Sequence, residues 1–288
     1  YNINITNRIG FQKTVVVMKK ITKDIMDAVL DLNEILESLT DQEWRSPTAF
    51  KEWTTEEVVA HLFYFDRMTV YSVNFPEKFK EEASYMFKTF TALPVSLDRA
   101  VAVKERLGVN DSESLRRQWY DSALDMCSIF QAVDPTRRCT WFGPDMGARM
   151  FMTARFMETW SHSQAIYDLI GRERIYKDNI KNIATIGVKT FGWTYLNRKL
   201  DVPNQIPFVS LSSPSGIQWE WNETSTEESV KGLASDFCHV VTQTRNIEDT
   251  DLELVGKVAK HWMSIAQCFA GDPEDPPAKG LRKKQNRG

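Results

Sequence analysis

Apolar residues recur at helical spacing from Ile21 to Leu39, where Ile25, Met26, Val29, Leu32, Leu36 and Leu39 alternate with Asp, Asn and Glu. That spacing predicts an amphipathic helix with one buried stripe. Asp41 to Lys51 reads as a loop containing Pro47. Thr54 then opens a second helix, with Glu57 three residues on to complete a capping box. Val58, His61, Leu62 and Phe65 share one face of it, and it is expected to stop by Pro76. The stretch 76–110 is mixed, with a short helix expected before Pro94. Asp111 begins a third helix whose inner face is Leu115, Trp119, Ala123, Cys127 and Phe130. Pro135 and the Gly143-Pro144 pair break the chain before a fourth helix, about Met146 to Ile170, closed by Gly171. Four such helices bury their stripes most simply as a bundle of up-down-down-up type.

Beyond Gly171 the pattern changes. Lys177 to Leu200 reads as one helix, and Gln205 to Ser212 as an apolar strand. After a turn at Pro214 to Gly216, Ile217, Trp219 and Trp221 alternate with Gln218 and Glu220, as in a half-buried strand. Two more helices are expected at Lys231 to Gln243 and Gly256 to Ala270. The fold class is therefore α+β, mainly α: a bundle over 18–174, then a small α/β domain over 175–271 with antiparallel strands. Residues 1–17 read as a disordered leader, and 272–288, rich in Pro, Lys and Arg, as a disordered tail.

Composition narrows the function. Of 288 residues 42% are apolar, enough for two cores, and a net charge of −3 gives no footprint for nucleic acid or an anionic membrane. No apolar run approaches the roughly 20 residues of a membrane span. The four cysteines, Cys127, Cys139, Cys238 and Cys268, are scattered. Neither a redox CxxC nor a cysteine metal motif is present, and a reducing, cytoplasmic setting is expected. The expected partner is a small molecule.

The chemistry concentrates on the fourth helix. Glu158 and His162 lie four apart, on a face otherwise made of Ala154, Ala165 and Leu169. His61 sits likewise between Val58 and Phe65. A buried carboxylate needs a partner. From spacing alone, a Glu–His hydrogen bond satisfies both groups without an ion. The alternative is a divalent ion held by His61, Glu158 and His162, with open coordination positions of the catalytic kind. Zinc is expected first, with nickel and iron as alternatives. Arg155 is a candidate to hold a substrate anion, or else an ion-pair partner of Glu158. Tyr64 is a candidate pocket residue, or else core packing. Cys127 is a buried inert thiol or a fourth ligand. His239 and His261 read as structural or exposed, Asp66 and Asp168 as caps or ion-pair partners, and Trp53 and Trp160 as packing.

Three stretches carry a resemblance. Trp44 to Asp66, with Trp53-Thr-Thr ahead of Ala60-His-Leu, resembles the maleylpyruvate isomerase N-terminal type of the DinB/YfiT-like superfamily, where a Gly-Trp-Thr start precedes Ala-His-Leu. Trp141-Phe-Gly-Pro-Asp-Met-Gly followed by Arg155-Phe-Met-Glu-Thr-Trp-Ser-His162 is similar to its second signature. Asp236 to Arg245 and Trp262 to Gly271 are similar to the C-terminal part of one branch. The resemblance implies a DinB-like four-helix bundle and a sterol-carrier-like second domain. It also implies a metal triad at His61, Glu158 and His162. The activity it implies is a thiol transferase or isomerase in which the metal, usually zinc, activates a low-molecular-weight thiol such as mycothiol. A thiol-free lyase, cyclase or hydrolase, or a non-catalytic metal- or ligand-binding protein, are the alternatives. The isomerase's C-terminal Arg has no counterpart directly after Gly271, where Asp272-Pro273 stands, which counts against maleylpyruvate as the substrate.

Overall fold

The computed structural model describes residues 3–143, 145–225 and 227–283, and of residues 3–15 the backbone alone. Tyr1, Asn2, Pro144, Thr226 and the end of the tail from Lys284 lie outside the described residues. The chain divides into two compact units, 1–163 and 164–288.

The first unit runs α1 (Ile3–Glu37), α2 (Asp41–Arg45), α3 (Thr55–Asn74), α4 (Pro76–Ala92), α5 (Ser96–Leu107) and α6 (Ser112–Gln131). A two-residue ribbon, β1 (Arg138–Cys139) antiparallel to β2 (Met146–Gly147), leads into α7 (Ala148–Leu169). The bundle is built on α1, α3, α6 and α7. Its core holds Ile25, Val29 and Leu32 of α1, Val58 and Leu62 of α3, Trp119 and Phe130 of α6, and Phe151 and Phe156 of α7. The helix starts follow the side-chain chemistry. Thr54 and Glu57 form the capping box of α3, and the Asp111 carboxylate accepts from Ser114 N at 2.8 Å to cap α6. The Lys104 ammonium, 2.8 Å from Glu57 and 2.9 Å from Glu56, ties α5 to the first turn of α3.

Two expectations shift here. α1 begins at Ile3, inside the stretch read as a leader, since nothing between Ile3 and Met18 is a proline to stop it. The segment 76–110 holds two helices instead of one short one. α3 does stop before Pro76, at Asn74, and Pro76 itself occupies the first turn of α4, where its missing N–H costs nothing. Phe79 and Met86 of α4 pack with Tyr64, Met68 and Val103.

The second unit has a 3-10 turn at Asp178–Ile180, then α8 (Lys181–Lys189), α9 (Phe191–Asn197), β3 (Phe208–Ser212), β4 (Gln218–Trp221), β5 (Ser229–Leu233), α10 (Ala234–Val241), β6 (Glu253–Val255) and α11 (Lys257–Ile265). The strand order is β4-β3-β5-β6. β3 is antiparallel to β4 but parallel to β5, and β5 is antiparallel to β6. The helix expected over 177–200 is thus divided, and the one expected from Lys231 starts at Ala234 because the residues before it form β5. The expectation of antiparallel strands fails at β3–β5. Only Val230 of β5 is buried, so the strand carries almost no alternating signal. Gly187 lets α8 approach α10: a Cβ there would lie 2.8 Å from a Val241 methyl. Residues 272–283, read from composition as disordered, are held to this unit. Gln243 Nε2 donates to Glu274 O at 2.8 Å, and Asn246 Nδ2 to Pro277 O at 2.8 Å.

His239 is buried here, with Nε2 2.7 Å from the Tyr176 hydroxyl and Nδ1 2.7 Å from Thr244 Oγ1. Burial, and then the nearby Arg245 and Arg174, hold its pKa well below the usual histidine range. The unfolded chain takes up a proton at this residue near pH 6.5, and the folded chain does not. Stability is therefore full above that pH and declines as the pH falls below it. Urea unfolding at pH 7.5 and 5.5 should show this loss, and His239→Gln should reduce it; an equal loss in the variant would remove His239 as the cause.

Candidate metal centre

α3 and α7 bring together the three groups whose spacing singled them out. On α7 the four-residue separation stacks Glu158 and His162 one turn apart, and α3 presents His61 to them. One donor atom from each of the three lies within 4.8 Å of the others. Glu158 Oε2 is 3.5 Å from His61 Nε2 and 3.2 Å from His162 Nε2. Donors bound to one ion at about 2.0–2.1 Å in tetrahedral geometry stand roughly 3.3 Å apart, so the carboxylate oxygen already keeps the separation that a shared ion requires. Two imidazoles and a carboxylate form a donor set suited to zinc, iron or nickel. The side chains of His61, Glu158 and His162 are 17%, 23% and 11% exposed, so each retains some access to solvent.

Aromatic rings fix the imidazoles. Trp53 stacks on His162 with centroids 5.7 Å apart and planes 6° apart. Phe50 meets the same ring edge-on at 5.0 Å. Phe65, one turn after His61, lies 4.6 Å from it, and the two histidine rings are 4.4 Å apart. Burial lowers the pKa of His61 to about 4, with His162 adding to the shift against the pull of Glu158. Burial alone would raise the pKa of Glu158, but hydrogen bonds from His162 and His61 hold it well below the usual carboxylate range. At neutral pH His61 is therefore neutral and Glu158 ionised, the forms in which they coordinate a cation without losing a proton.

The loop carrying Phe50 and Trp53 is a tight turn. Trp53 N donates to Phe50 O at 3.0 Å, and Thr48 N to Trp53 O at 2.8 Å. The central residues Lys51 and Glu52 both have positive φ, 53° and 62°. Such turns favour Asn-Gly, because only those residues enter the left-handed region cheaply. Replacing the pair by Asn-Gly (Lys51→Asn with Glu52→Gly) is expected to stabilise the first unit by about 1–2 kcal/mol. A chemical denaturation midpoint that falls instead of rising would refute this.

Arg155 and Tyr64 are placed elsewhere. Arg155 donates from Nε and Nη2 to Asp66 Oδ1 at 3.0 and 2.9 Å, deep in the bundle. Its partner is thus neither a substrate anion nor Glu158. The Tyr64 hydroxyl donates to Glu82 at 2.8 Å, toward α4. Among the described residues neither joins the three donors by a hydrogen bond or ion pair. Cys127 is buried and lies outside the donor group, and burial, with the charge of Asp66 nearby, pushes its thiol up to about 12. Asp168 is an ion-pair partner, accepting from Arg245 at 2.7 and 2.8 Å. His261 is exposed, beside Tyr195. Trp160 is buried, as a packing role requires. Trp53 does more than pack, since it faces a candidate ligand. The reading from sequence missed Phe50, which sits in a loop with no periodicity, and assigned no role to Phe65, whose i+4 relation to His61 was the available signal.

Residues 25–167, which include all three donors, match the mycothiol maleylpyruvate isomerase N-terminal domain. The uncharacterized protein Rv0036c of Mycobacterium tuberculosis strain H37Rv is 32% identical over 250 residues, spanning 87% of this chain and 93% of its own. The uncharacterized protein MT0041 of strain CDC 1551 has the same figures. A crystal structure of the mycothiol-dependent maleylpyruvate isomerase aligns with a TM-score of 0.49 at 14% identity, covering 77% of this chain and 88% of that one. The chain belongs to the family of the mycothiol maleylpyruvate isomerase N-terminal domain.

Proposed function

We propose that the protein is an enzyme in which His61, Glu158 and His162 hold a divalent ion, zinc in the first instance, that activates a low-molecular-weight thiol toward a small electrophile. The observation that carries this reading is the convergence of two imidazoles and one carboxylate within 4.8 Å, each partly accessible to solvent. When bound, such an ion lowers the pKa of a coordinated thiol so that the thiolate is available near neutral pH. The chain's own residues hold Glu158 ionised and His61 neutral, and Trp53 and Phe50 orient His162. The reaction is a thiol transfer or a thiol-assisted isomerisation. With an aryl chloride, the sulfur–carbon bond forms, chloride leaves with the bonding electron pair, and the thiol proton passes to solvent.

Elemental analysis of the purified chain, with a thiol-consumption assay on chlorodinitrobenzene using several cellular thiols, tests the reading. About one equivalent of metal and chelator-sensitive consumption of one of the thiols are expected. Metal without thiol consumption would replace it with a metal-binding protein or a thiol-free lyase, cyclase or hydrolase. One observation favours the metal-binding protein among these: Arg155 is held by Asp66 and Tyr64 by Glu82, so neither group expected to attend a substrate is directed at the donors.

A further inference from the structure

Beside the donors lies a set of aromatic rings that the metal reading does not use. Phe65 touches His61 and continues outward to Phe142 at 5.6 Å and Trp141 at 5.9 Å. Trp141 and Phe142 are themselves 5.0 Å apart, edge to face. The base of this group is fixed: Trp141 lies 4.8 Å from Phe151, itself fully buried, and Phe142 lies 5.6 Å from Phe79. Its outer rim is open, with Phe142 42% exposed and Phe65 and Trp141 half-buried. A large apolar side chain left in water on a rigid base, one ring away from a candidate ligand, is what a site for an apolar ligand leaves behind when empty of it.

Among the described residues no Lys or Arg stands over the Phe65, Trp141 or Phe142 ring, whereas cations do stand over Phe50, Phe63 and Tyr71. Asp66 holds Arg155. Arg137 donates to Val73 O at 2.9 Å, and Arg138 to Asp145 O. Lys51 stands over the Phe50 ring at 5.4 Å. A dicarboxylate laid on the ring faces would lose hydration against carbon surfaces that offer no hydrogen bond in return. A flat, electron-poor ring would stack on them without that cost.

We propose that Phe65, Trp141 and Phe142 form the substrate platform of this site, and that the electrophile it accepts is uncharged and flat, an aromatic or extended conjugated molecule in place of a small dicarboxylate. The proposal rests on the preceding reading for its chemistry, but the platform binds whether or not the ion is present. The probes are 1,3-dinitrobenzene, which is chlorodinitrobenzene without its leaving group, and maleate. Both are titrated calorimetrically into the full chain, metal-free and zinc-loaded. Dinitrobenzene is expected to bind both forms more tightly than maleate does. Phe142→Ala should weaken it about tenfold, the factor that corresponds to one aromatic contact. Because Phe142 is on the rim, its truncation leaves no hole in the core. Phe87→Ala, which removes an exposed ring from α4, serves as the control and should bind as the wild type does. Dinitrobenzene affinity unchanged in Phe142→Ala, or maleate binding the tighter of the two, would overturn the platform even if thiol turnover is found. Phe142-dependent binding with no turnover under any thiol would support the platform and remove the thiol reading alone.

Discussion

Alanine at position 61 is expected to lower zinc affinity by a hundredfold to a thousandfold. Structural zinc sites with four protein ligands release on the order of 10–16 kcal/mol, so one ligand accounts for about 3–4 kcal/mol, and each 1.4 kcal/mol is a factor of ten. His61 is the only one of the three donors on α3. Its loss leaves Glu158 and His162 as neighbours on α7, a two-ligand arrangement that any helix with this spacing can offer. Competition against a chromophoric chelator measures the effect directly. Thermal unfolding gives an independent readout: zinc should raise the midpoint of the wild type by mass action and leave that of His61→Ala nearly unmoved. His261→Ala, an exposed histidine in the second unit, should behave as the wild type does. Equal zinc affinity in wild type and His61→Ala would show that the α3 histidine takes no part, and the carboxylate–imidazole contact on α7 would then be an ordinary hydrogen bond.

That arrangement was legible in the sequence because its information is local. Glu158 and His162 are four apart, and the helix alone puts them on one face. His61 could be added because Val58, Leu62 and Phe65 mark the inward face of α3, which the capping box at Thr54 sets in register. What failed depended on distant chain. Arg155 was given either to a substrate anion or to Glu158, three residues along its own helix, whereas its ion pair is with Asp66, 89 positions off. Tyr64, three residues past His61, was read as a pocket residue or as core packing; it packs with Met68 and Phe79, and its hydroxyl is claimed by Glu82, 18 positions along, on a helix that periodicity had not resolved. The turn at Lys51 and Glu52 lacks the Asn or Gly that announces positive φ. Glu52 stands where the resembling family pattern has Gly, so the backbone demand persisted after the residue that reveals it was gone. In the second unit, β5 was absorbed into the following helix because a five-residue strand with one buried side chain looks like the start of anything apolar that comes next.

The other large effect concerns the pair that the sequence misassigned. Asp66→Ala is expected to destabilise the first unit by about 3–5 kcal/mol. The Arg155 and Asp66 side chains are 3% and 1% exposed, and the guanidinium makes two hydrogen bonds to one carboxylate oxygen. Removing the aspartate strands a cation that cannot give up its proton in the bundle interior, one turn from Glu158. The cost is that of an uncompensated buried charge, not the net worth of the pair. Burial in fact pushes the Asp66 pKa upward, with Arg155 opposing it, so the ionised pair is held there against a desolvation cost. The double replacement Asp66→Leu with Arg155→Met separates the two quantities. Both charges leave together, and stability should return to near that of the wild type. Urea unfolding of the single and double variants gives the coupling energy directly. A loss below about 1 kcal/mol in Asp66→Ala would mean that water reaches the guanidinium. If the double variant folds normally and still binds zinc, the pair is structural. If it folds but binds zinc more weakly, Arg155 and Asp66 set the position of the helix turn that carries Glu158, and with it the geometry of the donors.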